Sequence, residues 1–173
     1  GFLNKAKENN DRVSILFIDI DNFRQINDGL GILIGDELVQ EFGQFLKSFE
    51  EDNIIISHFA SDIYCLAIYD PRGNSSVEYI HEQIKERCKK PFLLTDNVQI
   101  NVSVCIGVAE YPEASDELLK LINFAEIVMF KAKKNGKNSI QYFDNEILKD
   151  FLKNVDVENQ LKSAVYRKSF EVY

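Results

Sequence analysis

Residues 13–28 read VSILFIDIDNFRQIND. The run Val13–Asp19 is almost continuously apolar, which is typical of a β-strand that is buried on both faces. A helical pattern follows over about residues 22–28. The stretch therefore predicts a buried strand that carries two carboxylates, Asp19 and Asp21, to the start of a helix.

Strand and helix patterns continue in the order β-α-α-β-β-α-β-β-α-β, which predicts an α+β domain with one central sheet. Two hairpins are expected, the first with Ala60–Ile63 at its tip and the second, Phe92–Ala109, turning at Asp96-Asn97. The other expected elements are a loop at Pro71–Asn74, helices over about 36–49, 76–89 and 115–134 with Ser115 as N-cap, a strand at 138–143, and a separate helical pattern over about 147–168.

The composition is that of an ordinary globular domain with a net charge of −8. This charge disfavours nonspecific nucleic-acid binding, which needs a positive field. The cysteines Cys65, Cys88 and Cys105 are odd in number and lack CxxC spacing, so free thiols in a reducing, cytoplasmic compartment are expected. Neither a signal peptide nor an apolar run of membrane-spanning length is visible.

The acids at the end of the first strand have two interpretations. A carboxylate there could hold Mg²⁺ together with backbone carbonyls and phosphate oxygens, with the helix N–H groups facing the phosphates. Alternatively, Asp21 or Asn22 only caps the helix. Asn27 and Asp36 could together read guanine, because an ionised Asp accepts from the paired N–H donors of that base. Each is also an ordinary turn or cap residue.

The motif D-I-D-x-F-R-x-I-N-D-x-x-G-x-x-x-G-D, read from Asp19 to Asp36, resembles the front half of a GGDEF domain of the diguanylate cyclase family. Ser103–Ala109 resembles a core strand of that family, and Ala125–Asn138 resembles its last helix. The similarity covers about residues 11–143. It implies a ferredoxin-like or nucleotidyl-cyclase palm-like fold, with a central antiparallel sheet flanked by helices and a C-terminal helix.

Active members of this family join two GTP molecules into cyclic di-GMP, each GTP held by one half of a head-to-head dimer. By resemblance, the chain could form a homodimer and bind Mg²⁺ together with GTP. The implied metal ligands are the Asp19 carboxylate, the Ile20 carbonyl and Asp62. The implied nucleotide contacts are Asn27 and Asp36 to guanine, and the backbone at Asn22, Phe23 and Arg24 with the side chains of Lys133 and Lys137 to the phosphates.

The signature of the family, Gly-Gly-Asp/Glu-Glu-Phe, is replaced here by Ala60-Ser61-Asp62-Ile63-Tyr64. Glycine at a hairpin tip allows positive φ or close approach of a ligand, so Ala60 and Ser61 predict either a strained tip or another loop shape. Ile63 can neither bind metal nor accept a proton, so efficient cyclase activity is not expected.

Two neighbouring positions also depart from the family. His58 stands where Arg is usual, and we assign it no catalytic role. Residues 51–54, Glu-Asp-Asn-Ile, replace the R-x-x-D motif of the inhibitory product site, so feedback by product at that site is not expected.

The tail suggests a second domain. Residues 161–165 and 170–173 resemble the entry to an EAL-type cyclic di-GMP phosphodiesterase, although a generic amphipathic helix is the alternative. We therefore expect residues 1–144 to form a degenerate GGDEF domain, and residues 145–173 a linker helix and the start of an EAL domain. Three functions stay open: a GTP- and Mg²⁺-binding regulatory module for the phosphodiesterase, a weakly active cyclase, and a structural dimerisation module with an empty site.

Overall fold

The computed structural model describes residues 1–71 and 75–171, without the side chains of 161, 162 and 164–171. Part of the expected loop at 71–74 and the last two residues of the tail match therefore lie outside the described residues. The helices are α1 Phe2–Asn9, α2 Phe23–Leu30, α3 Ile32–Lys47, α4 Ser76–Cys88, α5 Leu118–Lys134 and α6 Asn145–Glu171. The strands are β1 Arg12–Ile20, β2 Ile54–Ala60, β3 Ile63–Asp70, β4 Phe92–Leu93, β5 Gln99–Ile100, β6 Val104–Tyr111 and β7 Ser139–Tyr142.

The central sheet has the order β2-β3-β1-β6-β7, with β1 in the middle. Strand β1 pairs antiparallel with both β3 and β6, while β7 pairs parallel with β6 at the edge. The predicted α+β fold with a helix-flanked central sheet is confirmed, but the sheet is mixed rather than wholly antiparallel. The parallel pair arises because α5 crosses over between β6 and β7, as a parallel connection requires.

The buried strand predicted at the start of the chain is β1, which packs on both faces. Leu16 and Ile18 face a cluster formed with α3 and α4, whereas Ile15 and Phe17 face a second cluster formed with α1 and α5. Because successive side chains alternate between faces, an apolar run of this length needs a helical layer on each side. Asp19 and Asp21 continue the α5-side row beyond Phe17.

Several expected boundaries were wrong. Helix α3 begins at Ile32 rather than Asp36. One glycine, Gly31, whose φ is 95°, is enough to separate α2 from α3. The second hairpin is reduced to the short pair β4–β5, since the chain after Ile100 leaves it and joins the central sheet as β6. Ser115 does not cap α5. Its Oγ accepts from the Glu117 N–H at 3.1 Å, and the helix starts at Leu118.

Two findings concern the ends of the chain. Helix α1 was not predicted; it is short and buries Ala6 against the α5-side cluster. Helix α6 matches the expected C-terminal helix. In the part of the chain that the structure describes, no helix is both long enough and apolar enough to cross a membrane.

Candidate functional site

The end of β1 and the tip of the β2–β3 hairpin meet at one edge of the sheet. Asp19 lies opposite Ile63 in the antiparallel register, and the Ile20 N–H donates to the Asp62 carbonyl at 3.2 Å. The last turn of α5 brings Lys133 to the same place, where its ammonium contacts the Asp19 carboxylate. The structure therefore brings together the three predicted metal-binding residues Asp19, Ile20 and Asp62.

Asp19 is the electrostatic centre of this edge. Its side chain is 2% exposed, Lys133 occupies Oδ2, and Oδ1 is buried without a hydrogen-bond partner. Burial, and then the neighbouring Asp62 carboxyl group, raise the pKa of Asp19 to about 7, although Lys133 acts in the opposite direction. A buried, unpartnered carboxylate oxygen beside a second carboxylate fits a hard divalent cation such as Mg²⁺.

The donor set is small. No group of three or more His, Cys, Asp or Glu side chains within residues 1–71 and 75–171 is arranged to hold a metal ion. The position directly across from Asp19 is Ile63, which packs against the apolar cluster on the α5 side. Two carboxylates suit one Mg²⁺ whose coordination is completed by phosphate oxygens and water, and they do not suit a two-metal centre.

Next to Asp19 lies a cleft of about 480 Å³, which we call the lysine cleft. It is lined by Ile20, Asp21, Asn22, Phe23, Arg24, Gln25, Asn27, Ser61, Asp62, Lys133 and Lys137. Asn22 precedes α2 in the left-handed conformation, with φ of 59°, and its Oδ1 accepts from the Lys137 ammonium. Two lysines and the N-terminal end of α2 thus face one cavity, which is a suitable arrangement for an anion.

The two residues expected to read guanine lie at the border between two clefts. Asn27 lines the lysine cleft, and its buried Oδ1 has no hydrogen-bond partner. Asp36 lines an adjoining cleft of about 530 Å³ along α3, the α3 cleft, which shares Phe23 and Ser61 with the first. A Cβ on Gly35 would overlap Asn27 Oδ1 and lie 2.9 Å from its Cγ. The glycine therefore lets α3 approach α2 at this border.

The altered signature adopts an unstrained loop. Among the described residues, neither Ala60 nor Ser61 has a positive φ, so the strained backbone that the sequence allowed is not formed. A β-bulge lies between His58 and Ala60. The His58 ring stacks on Tyr64 at 4.9 Å, and its Nε2 lies 2.8 Å from the Ser61 carbonyl oxygen. His58 thus contacts the hairpin tip, a structural contact that the sequence did not indicate.

Asp21 differs sharply from Asp19. It is 3% exposed, and its carboxylate accepts from Ser103 Oγ, Cys105 Sγ and the Asn138 N–H. The helix-capping interpretation was wrong, because α2 has no side-chain cap and Asp21 points to β6 and to the turn after α5. No local pattern marks these partners, which lie 82 to 117 residues away.

Comparison with known proteins identifies this arrangement. A family profile described as "Diguanylate cyclase, GGDEF domain" matches residues 2–139. The chain belongs to the GGDEF family. The GGDEF domain of YfiN, also called TpbB, from Pseudomonas aeruginosa superposes with a TM-score of 0.78 and 25% identity, over 83% of this chain and 89% of the other. This GGDEF domain is therefore a domain of cyclic di-GMP signalling.

Curated relatives of the GGDEF chain have opposite activities. It is 24% identical over 93% of its length to the cyclic di-GMP phosphodiesterase NbdA of Pseudomonas aeruginosa, and it spans 20% of that protein. It is 24% identical over 85% of its length to diguanylate cyclase A of Treponema denticola, and it spans 39% of that protein. The chain thus corresponds to a minor part of proteins that make or degrade the same messenger.

Proposed function

We propose that this GGDEF domain binds one GTP with one Mg²⁺ as a regulatory module and does not join two GTP molecules. The observation that carries the proposal is the buried, unpartnered oxygen of Asp19 beside Asp62, with Ile63 facing the same carboxylate. Asp19 and Asp62 supply ligands for one cation. Ile63 supplies no ligand for a second cation.

In the proposed complex, the Asp19 and Asp62 carboxylates and the Ile20 carbonyl hold the metal. When bound, Mg²⁺ neutralises charge on the phosphates. Lys133 and Lys137 add positive charge to the lining of the lysine cleft, and the backbone of residues 22–24 offers N–H donors. Lys137 serves as a point charge here, whereas an arginine would bind a phosphate through two parallel hydrogen bonds.

Base recognition rests on Asn27 and Asp36. The Asn27 Oδ1 is a buried acceptor in need of a donor, and an exposed Asp36 carboxylate accepts paired N–H groups. Guanine presents such N–H donors, whereas the corresponding edge of adenine lacks the ring N–H. A preference for GTP over ATP follows.

The alternative of an empty structural module is less well supported. It requires Ala60 and Ser61 to fill the nucleotide space. Ser61 only borders the two clefts, Ala60 lines neither, and the lysine cleft retains about 480 Å³. Open volume lined by Asp62, Lys133 and Lys137 favours binding over a purely structural purpose.

The regulatory part of the proposal concerns the longer protein. The chain spans a fifth of a relative that is a phosphodiesterase, and α6 begins at Asn145, after the family match ends at residue 139. We infer that α6 links the domain to a C-terminal EAL domain and transmits GTP occupancy to it, with a homodimer as the assembly.

Titration calorimetry with GTP and Mg²⁺ tests the binding. Asp36→Ala is expected to raise the Kd for GTP at least about tenfold, because the paired N–H donors of guanine lose their charged acceptor. Glu41→Ala is the matched control, since Glu41 is also an exposed acid on α3 but lines neither cleft. ATP is expected to bind much more weakly than GTP. No heat from folded protein at millimolar GTP and Mg²⁺ would overturn the proposal.

A further inference from the structure

The second acid of the strand end, Asp21, joins three segments of the chain. Its Oδ2 accepts from Ser103 Oγ at 2.6 Å and from the Asn138 N–H at 2.8 Å, and its Oδ1 accepts from Cys105 Sγ at 3.0 Å. Its own N–H donates to the Ser103 carbonyl at 2.9 Å. Both carboxylate oxygens are therefore occupied by protein donors, which leaves Asp21 poorly suited to bind a metal ion.

One of these segments is the α5–β7 turn, residues 135–138. Its backbone twice enters the left-handed region, at Gly136 with φ of 122° and at Asn138 with φ of 58°. Such a turn needs contacts that select one conformation. Asp21 supplies one directly through the Asn138 N–H, and the Ser139 hydroxyl supplies a second to the Gly136 carbonyl at 3.1 Å.

Lys137 lies in the middle of this turn and reaches across to Asn22, the residue after Asp21. The two neighbouring pairs, Asp21 with Asn138 and Asn22 with Lys137, run between the same two segments. The Asp21 carboxylate is buried and its hydrogen bond to the Asn138 N–H is partly buried, whereas Lys137 is exposed and lines the lysine cleft. The bond to Asn138 therefore restrains the backbone from which Lys137 extends.

We propose that Asp21 is a positioning residue that holds the α5–β7 turn so that Lys137 faces the phosphates. The inference rests on the proposed GTP binding and assigns Asp21 an action through Lys137 rather than a direct contact. Its function depends on accepting hydrogen bonds and not on its charge, because its partners are a hydroxyl, a thiol and an amide rather than a cation.

Two substitutions of Asp21 distinguish hydrogen-bond acceptance from charge. Asn can place its carbonyl at the Oδ2 position, accept from Ser103 and Asn138, and turn its NH₂ toward the Cys105 sulfur, a weak acceptor. Ala removes every acceptor. Asp21→Ala is expected to raise the Kd for GTP–Mg²⁺ about tenfold, the size of one charge-assisted contact. Asp21→Asn is expected to stay within about threefold of the wild type.

A double-mutant cycle with Lys137→Met gives a result that a merely structural residue would not. If Asp21 acts through Lys137, adding Asp21→Ala to Lys137→Met raises the Kd for GTP–Mg²⁺ by less than about twofold. Asp70→Ala is the matched control, because Asp70 is also 3% exposed and accepts from the Ser76 hydroxyl. It lies at the opposite end of the sheet, opposite Arg12, and its loss should leave the Kd unchanged.

Three results would overturn the proposal. Asp21→Ala could bind GTP like the wild type, or Asp21→Asn could raise the Kd as much as Asp21→Ala. The third is that the increases in Kd caused by Asp21→Ala and Lys137→Met multiply fully in the double variant. Amide exchange measured by NMR provides a test without nucleotide. The Asn138 amide should exchange slowly in the wild type and in Asp21→Asn. Rapid exchange in the wild type would reject the proposal even if Asp21→Ala does not fold. Absence of GTP binding to the wild type, with a protected Asn138 amide, would reject the proposed function alone.

Discussion

At the residue scale, Asp19 near the end of β1 and Asp21 just after that strand have different surroundings. Asp19 has a lysine on one oxygen and no hydrogen-bond donor on the other, while Asp21 has a donor on each oxygen. Both residues are of the same type. The difference in partners leaves one oxygen of Asp19 without a donor and makes Asp21 part of the framework.

The first residue-scale prediction concerns Asp19 and pH. Because its pKa in the folded chain is about 7, against an ordinary value of 3.8, the folded chain holds this proton more tightly than the unfolded chain. The contribution of the protonated acid to stability is therefore present at low pH and is lost as pH rises to about 7. Asp19→Asn, which keeps the neutral form, should raise the metal-free unfolding free energy at pH 8 by about 1–3 kcal/mol.

Urea unfolding between pH 5 and 8 measures this effect. The advantage of Asp19→Asn should grow with pH and level off above about 7, the pKa of the wild-type acid. Asp116→Asn, at an exposed loop position, controls for the loss of one negative charge. A stability difference that does not change with pH would contradict the assigned cause.

The second residue-scale prediction concerns Gly35. A methyl group there displaces the Asn27 side chain, which is the end of a flexible group and can move without unfolding the domain. Gly35→Ala should therefore raise the Kd for GTP about as much as Asn27→Ala does. The double variant should bind GTP no more weakly than either single variant. Calorimetric Kd values and urea midpoints measure the two consequences. Normal GTP binding by Gly35→Ala would show that Asn27 does not read the base.

At the element scale, the packing of α5 on β6 decides where the lysines lie. A Cβ on Gly107 would overlap the Ala125 carbonyl oxygen and the Met129 amide nitrogen and lie 2.8 Å from the Met129 Cα. The helix backbone thus rests directly on the strand at this glycine. This close approach carries the last turn of α5, with Lys133, to the Asp19 end of β1.

Gly107→Ala is expected to destabilise the domain by about 1–3 kcal/mol, because backbone atoms rather than a side-chain end must move. Gly29→Ala is the matched control. Gly29 lies in α2 with nothing within 4 Å of an added Cβ, so that substitution should stabilise by about 0.5–1 kcal/mol. Chemical unfolding of both variants measures the contrast, and equal midpoints would show that α5 can shift freely.

At the scale of the whole molecule, the site is assembled from three distant segments. They are the end of β1, the tip of the β2–β3 hairpin and the last turn of α5. The replaced signature residues lie at the hairpin tip, while the other two segments keep the polar groups Asp19 and Lys133. The domain is therefore expected to retain binding and to lack the reaction, which needs two chains.

The wild-type chain is accordingly expected to form no cyclic di-GMP from GTP and Mg²⁺ during long incubation at high protein concentration. Combining Ala60→Gly, Ser61→Gly and Ile63→Glu restores the small tip and adds an acid opposite Asp19. This variant should form detectable product, at a rate that rises more steeply than linearly with protein concentration. Product from the wild type, measured by chromatography, would favour the weakly active cyclase instead.

Much of this protein could be predicted from local patterns. Periodicity and turn residues predicted the buried strand β1, the hairpin with the altered signature and the helices α2 to α5 in outline, and the resemblance of the quoted motifs to a known family indicated the family. These signals are local, since the side-chain repeat of a strand or helix states which face is apolar and which positions are polar. The end of the first strand and the residues after it indicated Asp19 and Asn27 as candidates, and the family resemblance indicated Lys137.

Only the tertiary structure decided what those candidates touch. The parallel edge strand β7, the packing of α5 at Gly107, the unpartnered oxygen of Asp19 and the three donors to Asp21 depend on segments far apart in sequence. Periodicity carries no information on which element lies against a given face or at what register. The sequence by itself thus determined the elements and the set of polar groups. Packing between elements determined which carboxylate keeps an unpartnered oxygen and which one joins three segments of the chain.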